Sequence, residues 1–487
     1  MPLPSSRAEV AICGAGMAGV AAAYHLAVRR AVRGVVLIDR GEPLALTSSR
    51  GTEAYRCWWP GPDDAMIRLT SRSVDLLDEL HAQSGGAFAM SRQGYVYLSA
   101  DPERAAELER TAERVAAMGG GPLRRHGRSS DRVAEDGGSP RGAGRVDPGR
   151  ALPDHDLDGA DLYTDPAAIR RLLPAVTPDA IAMLHVRRAG WLDSRALGRW
   201  LLTRAQAAGV RLLRDEVTAV DTAGGRVRAL RLAGGGTLET ATLVLAPGPG
   251  LAAAGRLLGL DLPVINEPHA KLTLDDHLGA VPRDSPLLIW NDPVRLDWSD
   301  EERSRLAADT ATRPLLEALP AGVHCRPRGE REVLVLWGYG SGTTADEGGA
   351  QEGDAGAERG ASPDWSRFPR FHPLFAEVVL RGLARMLPAV GAYRGAAAAS
   401  GEVDGGWYCK TPDNGPLIGP LAVPGAWVLG GLSGFGIMAS QGAAEALADQ
   451  VAGATVARWV RAHRPDRFID PEYMDRLAWI EAGQAEL

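Results

Sequence analysis

The sequence predicts an α/β protein of more than one domain, and three observations predict it. A strand–turn–helix–strand unit opens the chain, strands and helices mix through its middle, and a strand, a glycine-rich turn and a helix recur near its end. The length of 487 residues corresponds to two or three domains at about 150 residues each.

The opening unit runs from the apolar Val10–Cys13 through Gly14-Ala15-Gly16-Met17-Ala18-Gly19 and the helical Val20–Ala27 to a second apolar run, Val35–Ile38, that ends at Asp39. Helix is predicted over Arg195–Ala208 and strand over Val210–Leu213. A hairpin over Val217–Leu232 turns at Gly224-Gly225, and a buried strand follows at Thr242–Ala246. The middle mixes strands (Leu287–Trp290, Val333–Trp337) with a helix over Glu301–Leu315. Strand Ala426–Gly430, a glycine-rich turn and a final helix from Ile437 to Val451 close the pattern. Residues 119–149 and 341–363 are rich in glycine and polar residues. They bury too little apolar surface to offset ordering entropy and read as mobile insertions.

Composition excludes several classes. With 54 Lys+Arg against 61 Asp+Glu the net charge is −7, which argues against a nucleic-acid binder. Cys13, Cys57, Cys325 and Cys409 are too few for a disulfide framework and too scattered for a zinc ribbon, so no metal site is expected. No apolar run approaches the roughly 18 residues of a membrane span. The first strand starts near Glu9, which leaves no room for a signal peptide, so the expected location is cytoplasmic. Of the 54 basic residues only Lys271 and Lys410 are lysines.

The glycine triplet of the first unit has separate physical uses. Gly14 allows the tight turn, Gly16 lets backbone approach a pyrophosphate, and Gly19 lets helix pack on strand. The helix N-terminus, with Met17 and Ala18, offers free N–H groups to phosphate. Asp39, 20 residues beyond Gly19 and followed by Arg40, ends the next strand where a carboxylate can bind ribose hydroxyls. This is a Rossmann-like dinucleotide site.

Four segments extend the reading beyond that unit. Ser48-Ser49-Arg50-Gly51 follows the second strand. Ala189-Gly190-Trp191-Leu192-Asp193 enters a helix, with Glu216-Val217 beyond it. Leu243–Ala246 runs into Pro247-Gly248-Pro249. Near the end stand Tyr408-Cys409-Lys410-Thr411-Pro412-Asp413, Pro416–Gly419 and Gly430-Gly431-Leu432-Ser433-Gly434-Phe435-Gly436. In order and spacing the chain resembles the D-amino-acid oxidase superfamily of flavoproteins, in its branch of sarcosine oxidase, glycine oxidase and dimethylglycine dehydrogenase.

The resemblance implies a Rossmann-like FAD-binding domain (1–88, 161–258 and 401–487) interleaved with an α+β substrate domain on a mainly antiparallel sheet (89–160 and 259–400). It adds Ser48, Ser49, Arg50, Val217, Gly248, Gly431, Ser433, Gly434, Phe435, Gly436 and Ile437 to the cofactor residues. The last glycine turn would aim backbone N–H groups at the flavin's N1–C2=O edge, where charge accumulates on reduction.

Two features depart from the family. Gly406 occupies the position where some members carry the flavin on cysteine, with Cys409 nearby but offset. The loop at Ser48–Arg50 lacks the histidine that others use, so FAD is expected to be non-covalent. The strand Glu332–Trp337 also lacks the lysine that promotes reaction with O2 in sarcosine-oxidase-like members. Lys271 or Lys410 would substitute, or the electrons pass to another acceptor.

The reaction implied is hydride removal from carbon bearing nitrogen, in a small amine or amino acid, to flavin N5. Such chemistry needs a neutral amine, which a dry aromatic pocket favours. Trp58, Trp59, Trp337, Tyr339, Trp407 and Tyr408 are its candidate lining. Arg56 is the candidate for a substrate carboxylate, because its planar fork pairs two oxygens. Lys271, Lys410 and His269 are the candidate proton-handling or oxygen-activating groups. Two other readings stand beside this one: an FAD-dependent dehydrogenase of 2-hydroxy acids or alcohols with His269 as base, and a flavin-holding subunit that needs a partner protein.

Overall fold

The computed structural model describes residues 6–127, 158–340, 365, 368–395 and 401–481. Strands Val10–Cys13 and Val35–Asp39 are near-continuous apolar runs buried on both faces, as parallel strands between helical layers must be. They pair in parallel at the centre of a six-stranded sheet. Its order is Arg211–Arg214, Val35–Asp39, Val10–Cys13, Leu243–Leu245, Ala426–Gly430, Leu417–Pro420, and only the last pair is antiparallel. Helix Met17–Tyr24 is apolar all round and almost wholly buried. Its alanines let it pack closely between helices Ser194–Ala207 and Gly436–Val451, and helix Ala65–Gln83 covers the latter.

A second sheet has nine strands. Its order is Glu402–Lys410, Ile265–Asp275, Glu332–Leu336, His324–Arg328, Leu287–Trp290, Tyr95–Ser99, Ala182–Val186, Ala160–Tyr163, Leu123–His126. It is antiparallel except where Leu287–Trp290 meets Tyr95–Ser99 and where Leu123–His126 meets Ala160–Tyr163. Helix Phe375–Met386 seals one face, burying Leu380 and Leu383 completely. Each such leucine is worth roughly 1.5–3 kcal/mol relative to exposure.

The first strand, the Gly224-Gly225 hairpin with both glycines at positive φ, and strand Ala426–Gly430 form as the sequence predicts. Other elements differ. The helix expected over Glu301–Leu315 stops at Ala308, because Asp309 turns extended and caps the next turn through Ala311 N; a short 3-10 turn follows at Arg313–Leu316. The helix ending at Val451 is not the last, since Arg458–Arg461 and Pro471–Glu481 follow it. Strands Ala182–Val186 and Glu402–Lys410, expected in the cofactor domain, belong to the nine-stranded sheet. Residues 119–127 of the first expected insertion are ordered, with strand Leu123–His126 held by Arg124 and His126 on Asp161. The rest of it (128–149) and residues 341–363 lie outside the described residues. No helix among the described residues is long and apolar enough to cross a membrane.

Burial makes this fold acid-sensitive. His25 and His463 are pushed down to about 4 and His185 to about 3, chiefly because each is enclosed away from water. In the unfolded chain a histidine titrates near 6.5. The stability from keeping these rings neutral is therefore whole above pH 6.5 and is lost as pH falls from there through 4. At about 3 kcal/mol per histidine, the melting temperature is expected to hold steady from pH 8 to 7 and fall steeply below 6. Calorimetry that finds no fall by pH 5 would contradict this.

Candidate cofactor and substrate site

One cleft of about 490 Å³ runs across the carboxyl ends of the parallel strands. It lies where strands Val10–Cys13 and Leu243–Leu245 lead away in opposite directions through the sheet, the usual place for a ligand in an open α/β sheet. Two helices point their N-termini into it. Met17–Tyr24 begins at Gly16 and Gly436–Val451 begins at Phe435, and neither has a side-chain cap from its N-cap residue. Ser48 Oγ accepts the Met17 N–H at 2.9 Å, which draws the 47–49 turn against the first helix. Asp39 lines the cleft and is fixed by accepting the Ala15 N–H (2.7 Å) and the Gly41 N–H (2.8 Å).

The cradle is tight where a ligand backbone would approach. Gly14 has φ +105°, and a Cβ there would lie 2.4 Å from the Ala246 carbonyl oxygen. On the opposite wall a Cβ on Gly434 would meet the Tyr408 ring at 2.6 Å. Two helix N-termini at the cleft, an acid at the strand terminus and glycines at 14 and 434 where a Cβ would clash suit a diphosphate-bridged dinucleotide.

Of the sequence-predicted cofactor residues, Gly14, Gly16, Met17, Ala18, Asp39, Arg40, Ser48, Gly248, Gly431, Ser433, Gly434, Gly436 and Ile437 line this cleft. Gly19, Ser49, Arg50, Val217 and Phe435 do not. Gly19 sits beneath it against the Gly14 carbonyl, and Val217 lies in the hairpin, paired with Leu232. Sequence reading missed the wall segment Gly51–Ala54, Arg326, which holds it, and Asp404, which pairs with Lys271. Only the proximity of Glu53 to the Ser48–Gly51 motif could have pointed there.

The aromatic candidates separate. Trp407 and Tyr408 line the cleft, and Tyr408 stacks on His269 with centroids 4.1 Å apart. Trp59 meets Phe435 edge-on at 5.1 Å. Trp58 is buried beside Tyr97 in a core between helix and sheet. Trp337 and Tyr339 lie elsewhere, in the core under helix Phe375–Met386, where the Trp337 indole donates to the Pro320 carbonyl. They belong to packing because the strand's odd-numbered side chains face that helix.

The charged candidates also take definite places. Lys271 and Lys410 are on neighbouring antiparallel strands, and neither lines the cleft. Lys271 is buried against Asp404 and the Arg50 carbonyl, and burial lowers its pKa. Lys410 pairs with Glu267. Hydrogen bonds from His269 and Lys410 hold Glu267 down at about 2. His269 Nε2 is 3.3 Å from the same carboxylate.

Arg56 lies two residues past the cleft wall, with its guanidinium 5.5 Å from the Tyr95 ring centroid. Its Nε is buried without a hydrogen-bond partner, and among the described residues no carboxylate pairs with it. Tyr95 also feels Arg326 and Tyr408, so these groups face one region. Burial pushes the Cys409 thiol up to about 12, which suppresses the thiolate a covalent link would need. Acid precipitation is accordingly expected to release all flavin into the supernatant. Fluorescence remaining on the denatured band would contradict non-covalent binding.

Fold and cleft together define a flavin-dependent oxidoreductase. A family model described as FAD dependent oxidoreductase (DAO) matches residues 9–450, and the chain belongs to that family. FAD is its cofactor. Among curated proteins, mitochondrial dimethylglycine dehydrogenase of Rattus norvegicus is 30% identical over 103 residues, which is 21% of this chain and 12% of that protein. The chain thus matches only a small part of that longer relative. Among solved structures, L-proline dehydrogenase from P. horikoshii superposes with a TM-score of 0.67 at 18% identity, covering 96% of this chain and 99% of that one. Glycine oxidase from Geobacillus kaustophilus gives 0.64 at 18% identity, covering 93% and 96%. L-amino acid deaminase from Proteus myxofaciens gives 0.65 at 17%, covering 96% and 95%. At these identities the likeness establishes a shared fold.

Proposed function

We propose that this protein oxidises the C–N bond of a small amine that carries a carboxylate, an amino acid or N-substituted amino acid. The observation that carries the reading is Arg56, a guanidinium with a buried, unpartnered Nε and no carboxylate of its own. A half-buried arginine left unpaired in an acidic protein is costly, and an anionic ligand group offsets that cost. In this reading the six-stranded sheet with its helices forms the cofactor domain and the nine-stranded sheet the substrate domain.

When bound, FAD supplies the acceptor for two electrons and a proton taken together from the carbon bearing nitrogen. The protein does the rest. Arg56 grips the carboxylate and so fixes which carbon faces the cofactor. Tyr408, stacked on His269 and pushed up to about 12 by burial, stays a neutral phenol and keeps that side of the site dry. Dryness favours the neutral amine, whose lone pair stabilises the developing cation. The imine formed is hydrolysed by water to a carbonyl compound and a free amine, or cyclises. The N-terminus of helix Gly436–Val451 faces the cleft and would favour negative charge on the bound cofactor, a contribution of roughly 0.3–2 kcal/mol.

A second reading has its own observation. His269 bonded to Glu267 is an imidazole–carboxylate pair suited to taking a hydroxyl proton, as oxidation of a 2-hydroxy acid requires. One experiment separates the readings. Under argon, bleaching of the flavin absorbance by amino acids and N-alkyl amino acids supports the first, and bleaching by 2-hydroxy acids alone supports the second. Bleaching by neither class sinks both and favours a flavin-holding subunit. Admitting air then distinguishes an oxidase, which recolours within a turnover, from a dehydrogenase, which does not.

A further inference from the structure

The backbone from Arg50 to Glu53, which leads into and forms this wall of the cleft, is held from behind by two cations of the nine-stranded sheet. Lys271 Nζ donates to the Arg50 carbonyl at 2.9 Å, and Arg326 Nε donates to the Thr52 carbonyl at 2.6 Å. Both side chains are nearly inaccessible, at 4% and 2% exposed. Each has its own carboxylate at 2.7 Å, Asp404 for the lysine and Glu53 for the arginine. A buried ion pair is weak evidence for stability, since well-packed apolar side chains would serve as well or better. Two such pairs, each spending a donor on a backbone carbonyl of the same four-residue wall, call for another reason.

Peptide geometry supplies one. In a trans peptide the C=O and N–H point in opposite directions, and neither of these peptides is cis. Turning the Arg50 and Thr52 carbonyls toward the nine-stranded sheet turns the N–H groups of Gly51 and Glu53 away from it, on the side of the cleft that both residues line. Among the described residues neither N–H has a protein acceptor. Glu53 also adopts φ +59°, and its carboxylate is pinned by Arg326 and by Ser194 Oγ at 2.7 Å, so this turn cannot relax.

We propose that Lys271 and Arg326 are positioning residues: they fix two carbonyls so that the Gly51 and Glu53 N–H groups stand ready as a pair of donors for the acceptor atoms of the flavin ring. A cation on each carbonyl also polarises its peptide and strengthens the N–H as a donor. Such donors favour the more electron-rich reduced flavin over the oxidised one. This inference rests on FAD in the cleft and is independent of which substrate the protein takes.

The test uses the holoenzyme and three variants. D404N removes the ion pair but keeps the lysine donor. K271M/D404N removes the donor without leaving a lone carboxylate, and K271R keeps a cationic donor. The midpoint potential of the bound flavin, its visible spectrum, its affinity for apoprotein and the melting temperature are measured for each. K271M/D404N is expected to shift the potential to more negative values, alter the fine structure of the flavin band and weaken FAD binding roughly tenfold. D404N and K271R are expected to keep the wild-type potential and spectrum even where they melt earlier. If K271M/D404N matches D404N in potential and spectrum, the proposal is overturned. Should that double variant not fold, the apolar pair K271L/D404L replaces it and is compared with K271R, and equal potentials there overturn the proposal too.

Discussion

Gly14→Ala is expected to yield colourless protein. Two separate obstacles meet at this residue. Its φ of +105° lies where an L side chain is strained, and the new Cβ would fall 2.4 Å from the Ala246 carbonyl oxygen and 2.6 Å from the Pro247 Cα. Both neighbours are backbone, so no side chain can swing aside. Relief requires the turn to separate from the strand end at Leu243–Leu245, which displaces the N-terminus of helix Met17–Tyr24 from the cleft. Strain of this kind costs about 1–3 kcal/mol before the cofactor contacts are counted. FAD affinity should therefore fall by at least 100-fold, read as flavin content after gel filtration and as the dissociation constant of the apoprotein. A Gly14→Ala protein purified with a full complement of flavin would show that the turn is not the phosphate-binding element.

Arg56→Met is expected to leave flavin content unchanged and to lower kcat/KM for a carboxylate-bearing amine by about 100-fold, the order of a lost charge-assisted pair. The loss should fall on kcat as well as KM, because the carboxylate sits on or next to the carbon that loses hydride and its grip also orients that carbon. Two controls give the prediction its edge. An amine of matching shape without the carboxylate should be oxidised equally by both proteins. Arg56→Lys should recover only part of the loss, because a lysine cannot present a planar fork. Equal losses on both substrates would move Arg56 from substrate binding to support of the fold, where its stacking on Tyr95 already places it.

The parts of this protein legible in sequence were those in which one local pattern determines the outcome. The opening unit is a strand, three spaced glycines, a helix and an acid within about 30 residues, and each requirement is met by neighbours in the chain. The same holds for the Gly224-Gly225 hairpin and the glycine turn at 430–436. The cleft wall at Gly51–Ala54 was illegible for the opposite reason. Glu53 finds Arg326 across 273 residues, and that pairing depends on how Cys325 and Val335 align in the second sheet. Among so many arginines nothing in composition marks Arg326. Lys271 did stand out by its rarity, yet its place behind the loop follows only from its pairing opposite Asp404 on the adjacent strand. Trp337 shows the reverse error. The family resemblance implied that its strand lies near the cofactor and so suggested the pocket, whereas strand alternation turns its side chain to the helix side.

The order of the six-stranded sheet has a consequence for how the protein is made. Strand Ala426–Gly430 completes the cleft by aligning Trp427 with Val244, and the helix that follows supplies the second helix N-terminus. A nascent chain leaving the ribosome therefore displays its first glycine turn long before the site exists, and must keep its opening βαβ unit from misassociating through more than 380 residues of synthesis. Flavin loading then becomes a post-translational event that reports complete folding. A chain stopped before Ala426 should carry no flavin at all, and colour in a growing culture should lag behind the appearance of full-length polypeptide.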